Sequence, residues 1–95
     1  MVRLTWTDQA IDDLGDIGKY IAENSERYAK LTVKKLYERT NILKQFPLAG
    51  RVVPEKNEEN VRELIEGSYR IIYEIFPDNQ IYILTVYHGS RELKL

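Results

Sequence analysis

The chain is predicted to be an α+β domain of order β-α-α-β-β-β, with a two-helix antiparallel hairpin packed on one face of a mainly antiparallel sheet. Three observations carry this. Apolar residues recur at spacings of three and four through residues 8–45, interrupted only at Asn24-Ser25. Three runs rich in β-branched and aromatic residues follow, 61–65, 69–76 and 80–87, with turn-forming residues between them. A short segment of alternating polarity precedes the helices.

That segment is Val2, Leu4 and Trp6 alternating with Arg3 and Thr5, the period-2 pattern of a half-buried strand. Thr7 offers a hydroxyl N-cap, and Asp8 suits the positive end of the following helix dipole. Ala10, Leu14, Ile17 and Ile21 place one apolar face on a helix over about 8–23. Gly15 and Gly18 each cost that helix about 1 kcal/mol relative to Ala, and close approach to the second helix is their expected use. Ser25 caps the next helix, whose stripe Ala29, Val33, Leu36, Thr40 and Leu43 runs to about Gln45. So short a link forces the two helices antiparallel. Ala10, Leu14, Ile17, Ile21, Val33, Leu36 and Leu43 are the expected core of the hairpin.

Phe46-Pro47 ends the second helix, because a residue before proline avoids the helical region. Residues 48–60 read as an ordered loop leading to an acidic turn. Glu66-Gly67-Ser68 and Pro77-Asp78-Asn79 turn the chain between the last three strands, giving a meander. The helices cover one sheet face, and the other is expected to stay free or to hold a partner. If the second turn folds strand 69–76 onto 80–87, partners have numbers summing to about 157, uncertain by one. A sum of 158 would set Arg70 opposite His88 on one face, and a one-residue slip would separate them.

Composition narrows the function classes. One domain spanning 1–95 is expected at this length, with an apolar fraction of 43% that argues against disorder. The absence of cysteine excludes a disulfide scaffold and thiolate chemistry. No apolar run approaches the roughly 18 residues of a membrane span, and the N-terminus lacks the long apolar stretch of a signal peptide, so a cytoplasmic location is the default. No phosphate-binding glycine loop, zinc-ligand spacing or serine triad occurs, and neither a cofactor nor a metal is expected.

The net charge of −1 draws the protein to no polyanion as a whole. Its distribution is uneven. Arg27, Lys30, Lys34, Lys35, Arg39, Lys44 and Arg51 stand against Glu38 alone in residues 27–51, while both flanks are acidic. The plain reading is a solvated helix face. The sharper one is a docking surface for an acidic partner segment or a phosphate backbone.

With these elements in order, the chain resembles the RelE/ParE toxin superfamily, and its ParE branch more than the RelE branch. The carrying residues are Trp6, Ala10, Asp13-Leu14, Ile17 and Tyr20-Ile21, then Phe46-Pro47-Leu48-Ala49-Gly50-Arg51 and Pro54-Glu55. Arg62-Glu63-Leu64, Tyr69-Arg70-Ile71-Ile72-Tyr73 and Val86-Tyr87-His88-Gly89-Ser90-Arg91 continue the match. The resemblance implies a toxin that a cognate antitoxin neutralises in a hetero-oligomer. It also implies one of two targets. ParE-type members bind DNA gyrase and block it, whereas RelE-type members cleave mRNA on the ribosome. A non-toxic relic that still binds its antitoxin is a third expectation.

Metal-free RNA cleavage needs a base for the 2′-hydroxyl, an acid for the leaving oxygen and cations for the developing charge. No lysine lies between Lys56 and Lys94, so the lysine cluster of RelE itself is missing. Arg70, His88 and Glu63 are the candidate catalytic residues if the chain is a ribonuclease. His88 is the only histidine, a residue type suited to proton transfer, but its plainer reading is a strand-end structural or binding residue. Arg70 interrupts an apolar strand, either for function or to pair with Glu63 or Glu74. Arg62, Tyr87 and Arg91 are the candidate binding residues. Four of the seven tyrosines, at 69, 73, 82 and 87, decorate the two central strands, where they anchor an interface or pack beneath the helices. Gyrase binding leads and ribosomal mRNA cleavage is the alternative.

Overall fold

The computed structural model describes residues 1–91. Strand β1 (Arg3–Trp6) leads into helix α1 (Asp8–Ala22) and helix α2 (Glu26–Arg39), which tightens into a 3-10 turn over Thr40–Lys44. Strands β2 (Arg51–Val52), β3 (Val61–Glu66), β4 (Tyr69–Phe76) and β5 (Gln80–His88) complete it. The sheet order is β1-β5-β4-β3-β2, with β1 parallel to β5 and the other pairs antiparallel. The expected architecture is present, with one strand more than the sequence suggests. A strand of two residues such as β2 has no periodicity to recognise.

Thr7 accepts from the Ala10 N–H at 3.1 Å and donates to the Ile83 carbonyl at 2.9 Å, so one hydroxyl caps α1 and ties it to β5. Ser25 caps α2 through the Tyr28 N–H. A side chain built at Gly18 would place its Cβ 3.2 Å from Val33 Cγ2, so this glycine lets the two helices approach; Gly15 faces open space. Of the expected hairpin core, Ala10, Leu14, Leu36 and Leu43 are buried and Ile17, Ile21 and Val33 half-buried. All of these but Ile21 pack with Leu64, Ile71, Tyr73, Ile81, Ile83 and Val86 from the sheet. Trp6 stacks on Tyr37 with ring centroids 5.2 Å apart, tying β1 to α2.

Asp78 and Asn79 both adopt positive φ, 65° and 57°, which matches the twist of a tight hairpin. From that turn the β4–β5 partners run Phe76↔Gln80 to Tyr73↔Ile83, then slip at Leu84 to Ile72↔Thr85, Arg70↔Tyr87 and Tyr69↔His88. The bulge shifts register by one residue. Near Arg70 the numbers sum to 157, so Arg70 opposes Tyr87 and not His88.

The second sheet face is not free, contrary to the expectation of an open one. Residues 53–55 fold over part of it: Val53 joins Val61, Ile72 and Leu84 in a small second core, and Glu55 meets Arg70. No helix of the described residues is long and apolar enough to cross a membrane.

Candidate functional site

On the face away from the helices, β3 offers Glu63 and β4 offers Arg70. The Glu63 side chain is fully buried, yet both its oxygens are engaged: Arg51 Nε and Arg70 Nε each donate at 2.5 Å. The two remaining nitrogens of Arg70 donate to the two oxygens of Glu55 at 2.8 Å, a bidentate fork. Charges therefore alternate along Arg51–Glu63–Arg70–Glu55, and the cluster straps the 50–55 loop to the sheet. Hydrogen bonds from Arg70 hold the Glu55 carboxyl down at about 2. Glu55 in turn raises Arg70 further above its already high value.

A second set of bonds anchors the same loop. The buried Tyr73 hydroxyl donates to the Pro47 carbonyl at 2.8 Å and accepts from the Gly50 N–H at 2.9 Å. Burial pushes the Tyr73 hydroxyl up, and the bond to Gly50 offsets part of that. A Cβ on Gly50 would meet the Glu63 carbonyl and lie 2.8 Å from the Tyr73 hydroxyl, so only glycine fits. Arg62, expected to bind a partner, instead donates to the Gly50 carbonyl through Nη1 and to the Glu59 carbonyl through Nε, both at 2.9 Å. Its side chain is 12% exposed and serves the loop.

His88 lies on the other face, opposite Tyr69, whose ring meets it edge-on at 5.4 Å between centroids. The Ser90 N–H donates to His88 Nδ1 at 3.2 Å, with Ser90 Oγ 2.6 Å from the same nitrogen. In the neutral ring this places the proton on Nε2. Arg70 and His88 both border a hollow of about 560 Å³ at this end of the sheet, but they project from opposite faces. Glu63 joins Arg70, and His88 stands apart from both.

Sequence reasoning gave Asp13 no role, and the structure supplies one. β1 pairs with β5 only as far as Ile83, so the outer edge of β5 continues without a strand beside it. Asp13 covers that edge, its Oδ2 accepting from the Val86 N–H at 3.0 Å and the Thr85 hydroxyl at 2.5 Å. Such cover protects an exposed edge from adding another chain. Only the β5 bulge brings Thr85 within reach, and no local pattern announces it. Beside this contact a hollow of about 880 Å³ lies between α1 and the end of β5. Asp16, Tyr20, Tyr69, Tyr87, His88 and Arg91 are among its walls. Two of the three expected binding residues, Tyr87 and Arg91, therefore border the same hollow as His88, although Tyr87 and His88 alternate to opposite faces of β5. Among the described residues no group of three or more histidine or acidic side chains is arranged to hold a metal.

The sequence matches the model of the family described as "ParE toxin of type II toxin-antitoxin system, parDE" over residues 4–93. It is 32% identical over 92 residues to "Putative toxin Y4kP" of Sinorhizobium fredii, covering 95% of this chain and 91% of that protein. Among solved structures, a chain of the chromosomal ParDE system from P. aeruginosa superposes with a TM-score of 0.78 at 25% identity, covering 95% of this chain and 98% of that one. The RelBE2 complex of Mycobacterium tuberculosis and the YoeB–YefM complex of Staphylococcus aureus each give 0.58. Their identities are 19% and 20%, they cover 92% and 93% of this chain, and 96% and 97% of theirs, and they show the shared fold alone. This chain belongs to the ParE toxin family of type II toxin–antitoxin systems.

Proposed function

We propose that the chain arrests growth by binding DNA gyrase, without cutting RNA, and that a cognate antitoxin neutralises it in a hetero-oligomeric complex. The observation that carries the first part is the separation of the candidate catalytic groups. Arg70 and Glu63 hold each other and the loop, while His88 faces the opposite side of the sheet. General acid–base cleavage needs donor, acceptor and cation converging within hydrogen-bond reach of one phosphate. Residues that strap a loop are poorly placed for that, and a rigid binder needs none of it.

The surface proposed to meet gyrase is the C-terminal end of β5, where Tyr87, His88 and Arg91 border the hollow beside α1. Tyrosine and arginine are the residue types that dominate binding hot spots. The antitoxin reading is supported by the family match and by the likeness to the ParDE system. Inducing the chain in cells and following growth, mRNA integrity and plasmid supercoiling separately tests the reading. Growth arrest with lost supercoiling and intact mRNA is expected. Early cuts in translated mRNA would instead establish the RelE-like activity. No arrest at all would mark a chain that only binds its antitoxin.

A further inference from the structure

Helix α2 carries a second stripe, on the side away from its buried residues Ala29 and Leu36. Tyr28, Leu31, Lys35, Glu38 and Ile42 follow one another at spacings of three, four, three and four, with Ile42 in the 3-10 turn that continues the helix. That is the spacing of a seam along which two helices pair. Phe46 extends it by one more turn. Tyr28, Leu31, Ile42 and Phe46 expose between 40% and 62% of their surface. Lys35 and Glu38, at the centre of the stripe, are exposed, and neither forms an ion pair with a described residue. None of the six lines the two hollows beside the end of β5.

We propose that this stripe is a homodimer contact, occupied by α2 of a second copy of the chain running antiparallel to the first. The order of residues along it carries the inference. In an antiparallel pair related by a twofold axis, residues meet where their numbers sum to one constant. A constant of 73 sets Lys35 against Glu38 of the second copy, and Glu38 against its Lys35. The same constant sets Leu31 against Ile42 twice and brings Tyr28 to Gln45, beside Phe46. Other arrangements fail. A parallel pair stacks Lys35 on Lys35 and Glu38 on Glu38. An antiparallel pair shifted by seven residues sets Lys35 against Leu31, or Glu38 against Ile42. The stripe therefore matches its own copy in one register, through charge as well as apolar contact. It is roughly 30 Å long and one helix wide, so the pair buries on the order of 1,000 Å², the lower limit of a specific contact. Arg27, Lys34 and Arg39 on the flanks add like charge, and dissociation in the range of about 10–100 μM follows. Pairing uses none of the residues proposed to meet gyrase.

Sedimentation velocity of the purified full chain, from about 1 to about 500 μM, tests this beside the Lys35→Glu and Glu38→Lys variants. The unaltered chain is expected to pass from monomer to dimer within that range. Each single variant sets like charges together twice in every dimer and should weaken association about tenfold or more. Two restorations separate the contact from any effect on folding. The double variant Lys35→Glu, Glu38→Lys and an equimolar mixture of the two single variants both recreate the opposite pairs, and both should dimerise within about threefold of the unaltered chain. Leu31→Lys should abolish the dimer. A chain still monomeric at about 500 μM would overturn the proposal. A dimer that keeps its affinity in the single variants, or one that neither restoration recovers, would overturn it as well. So would a monomeric chain whose Leu31→Lys variant loses affinity for the product of the adjacent reading frame, since the stripe would then belong to that partner.

Discussion

Replacing Glu63 by alanine should destabilise the chain strongly while leaving the proposed gyrase surface in place. The carboxylate is fully buried and accepts one charge-assisted bond from each of two arginines. Removing one partner of a buried pair typically costs about 3–5 kcal/mol, mostly because the other charge is left unmatched. Here the two arginines differ. Arg51 is 64% exposed and can turn to water, so its share falls to the 0–1 kcal/mol of surface pairs. Arg70 is 12% exposed but keeps its fork to Glu55. The expected loss is therefore at the lower end, about 3 kcal/mol. At roughly 4–8 °C per kcal/mol for a domain of this size, the melting temperature should drop by about 12–24 °C. Urea denaturation followed by circular dichroism measures the loss. Glu63→Met combined with Arg70→Met, which removes both inward charges, should recover a large part of it. A loss under about 0.5 kcal/mol would refute the claim that this cluster holds the loop. Toxicity lost with stability intact would instead return Glu63 to the catalytic role.

Tyr73→Phe should cost about 2–3 kcal/mol in the same denaturation assay, since it leaves the buried Gly50 N–H and the Pro47 carbonyl without their partner. Asp13→Ala removes the cover from the β5 edge. It should cost about 1.5–3 kcal/mol, and amide exchange at Val86 should accelerate selectively. Acid stability should depend on Glu55, whose carboxyl is held at about 2 in the folded chain against 4.5 ordinarily. A depressed carboxyl stabilises fully above 4.5 and loses that contribution as the pH falls toward 2. Glu55→Gln should flatten the acid limb of the stability profile in that window and leave neutral pH little changed in slope. The raised Tyr73 hydroxyl acts at the other end: its contribution is present below pH 10 and is lost as the pH rises beyond.

Much of the fold was legible because its signals are local. Thr7 and Ser25 cap the helices they precede, and the spacing of Ala10, Leu14, Leu36 and Leu43 sets the core-facing stripe. Asp78-Asn79 fixes the last hairpin, and the sum near 157 follows from counting across it. The bulge at Leu84 was not legible, because nothing in QIYILTVY marks which residue will be extra. That bulge decides which face His88 takes and brings Thr85 to Asp13. The site was half legible for the same reason. Arg70 pairing with Glu63 was readable as an alternative from charge on neighbouring strands. Glu55 and Arg51 completing the cluster depend on how residues 46–60 fold back, a long-range event that leaves no periodic trace. The bonds of Arg62 to the Gly50 and Glu59 carbonyls were not legible either, because an arginine on a strand gives no sign of which loop carbonyls will come within its reach.

The central claim is that this toxin binds its target and performs no chemistry on RNA with Arg70, Glu63 and His88. Purified chain titrated into a gyrase supercoiling reaction, beside its His88→Ala and Arg70→Ala variants shown folded, tests it most directly. Inhibition by the unaltered chain is expected. Arg70→Ala should keep inhibition when assayed below its melting transition, and His88→Ala should weaken it at most modestly through the hollow it borders with Tyr87 and Arg91. In parallel, ribosomes translating a defined mRNA should show no new cleavage. The opposite pattern contradicts the account: full gyrase activity at every concentration, with mRNA cut by the unaltered chain and cutting reduced about a hundredfold or more in His88→Ala.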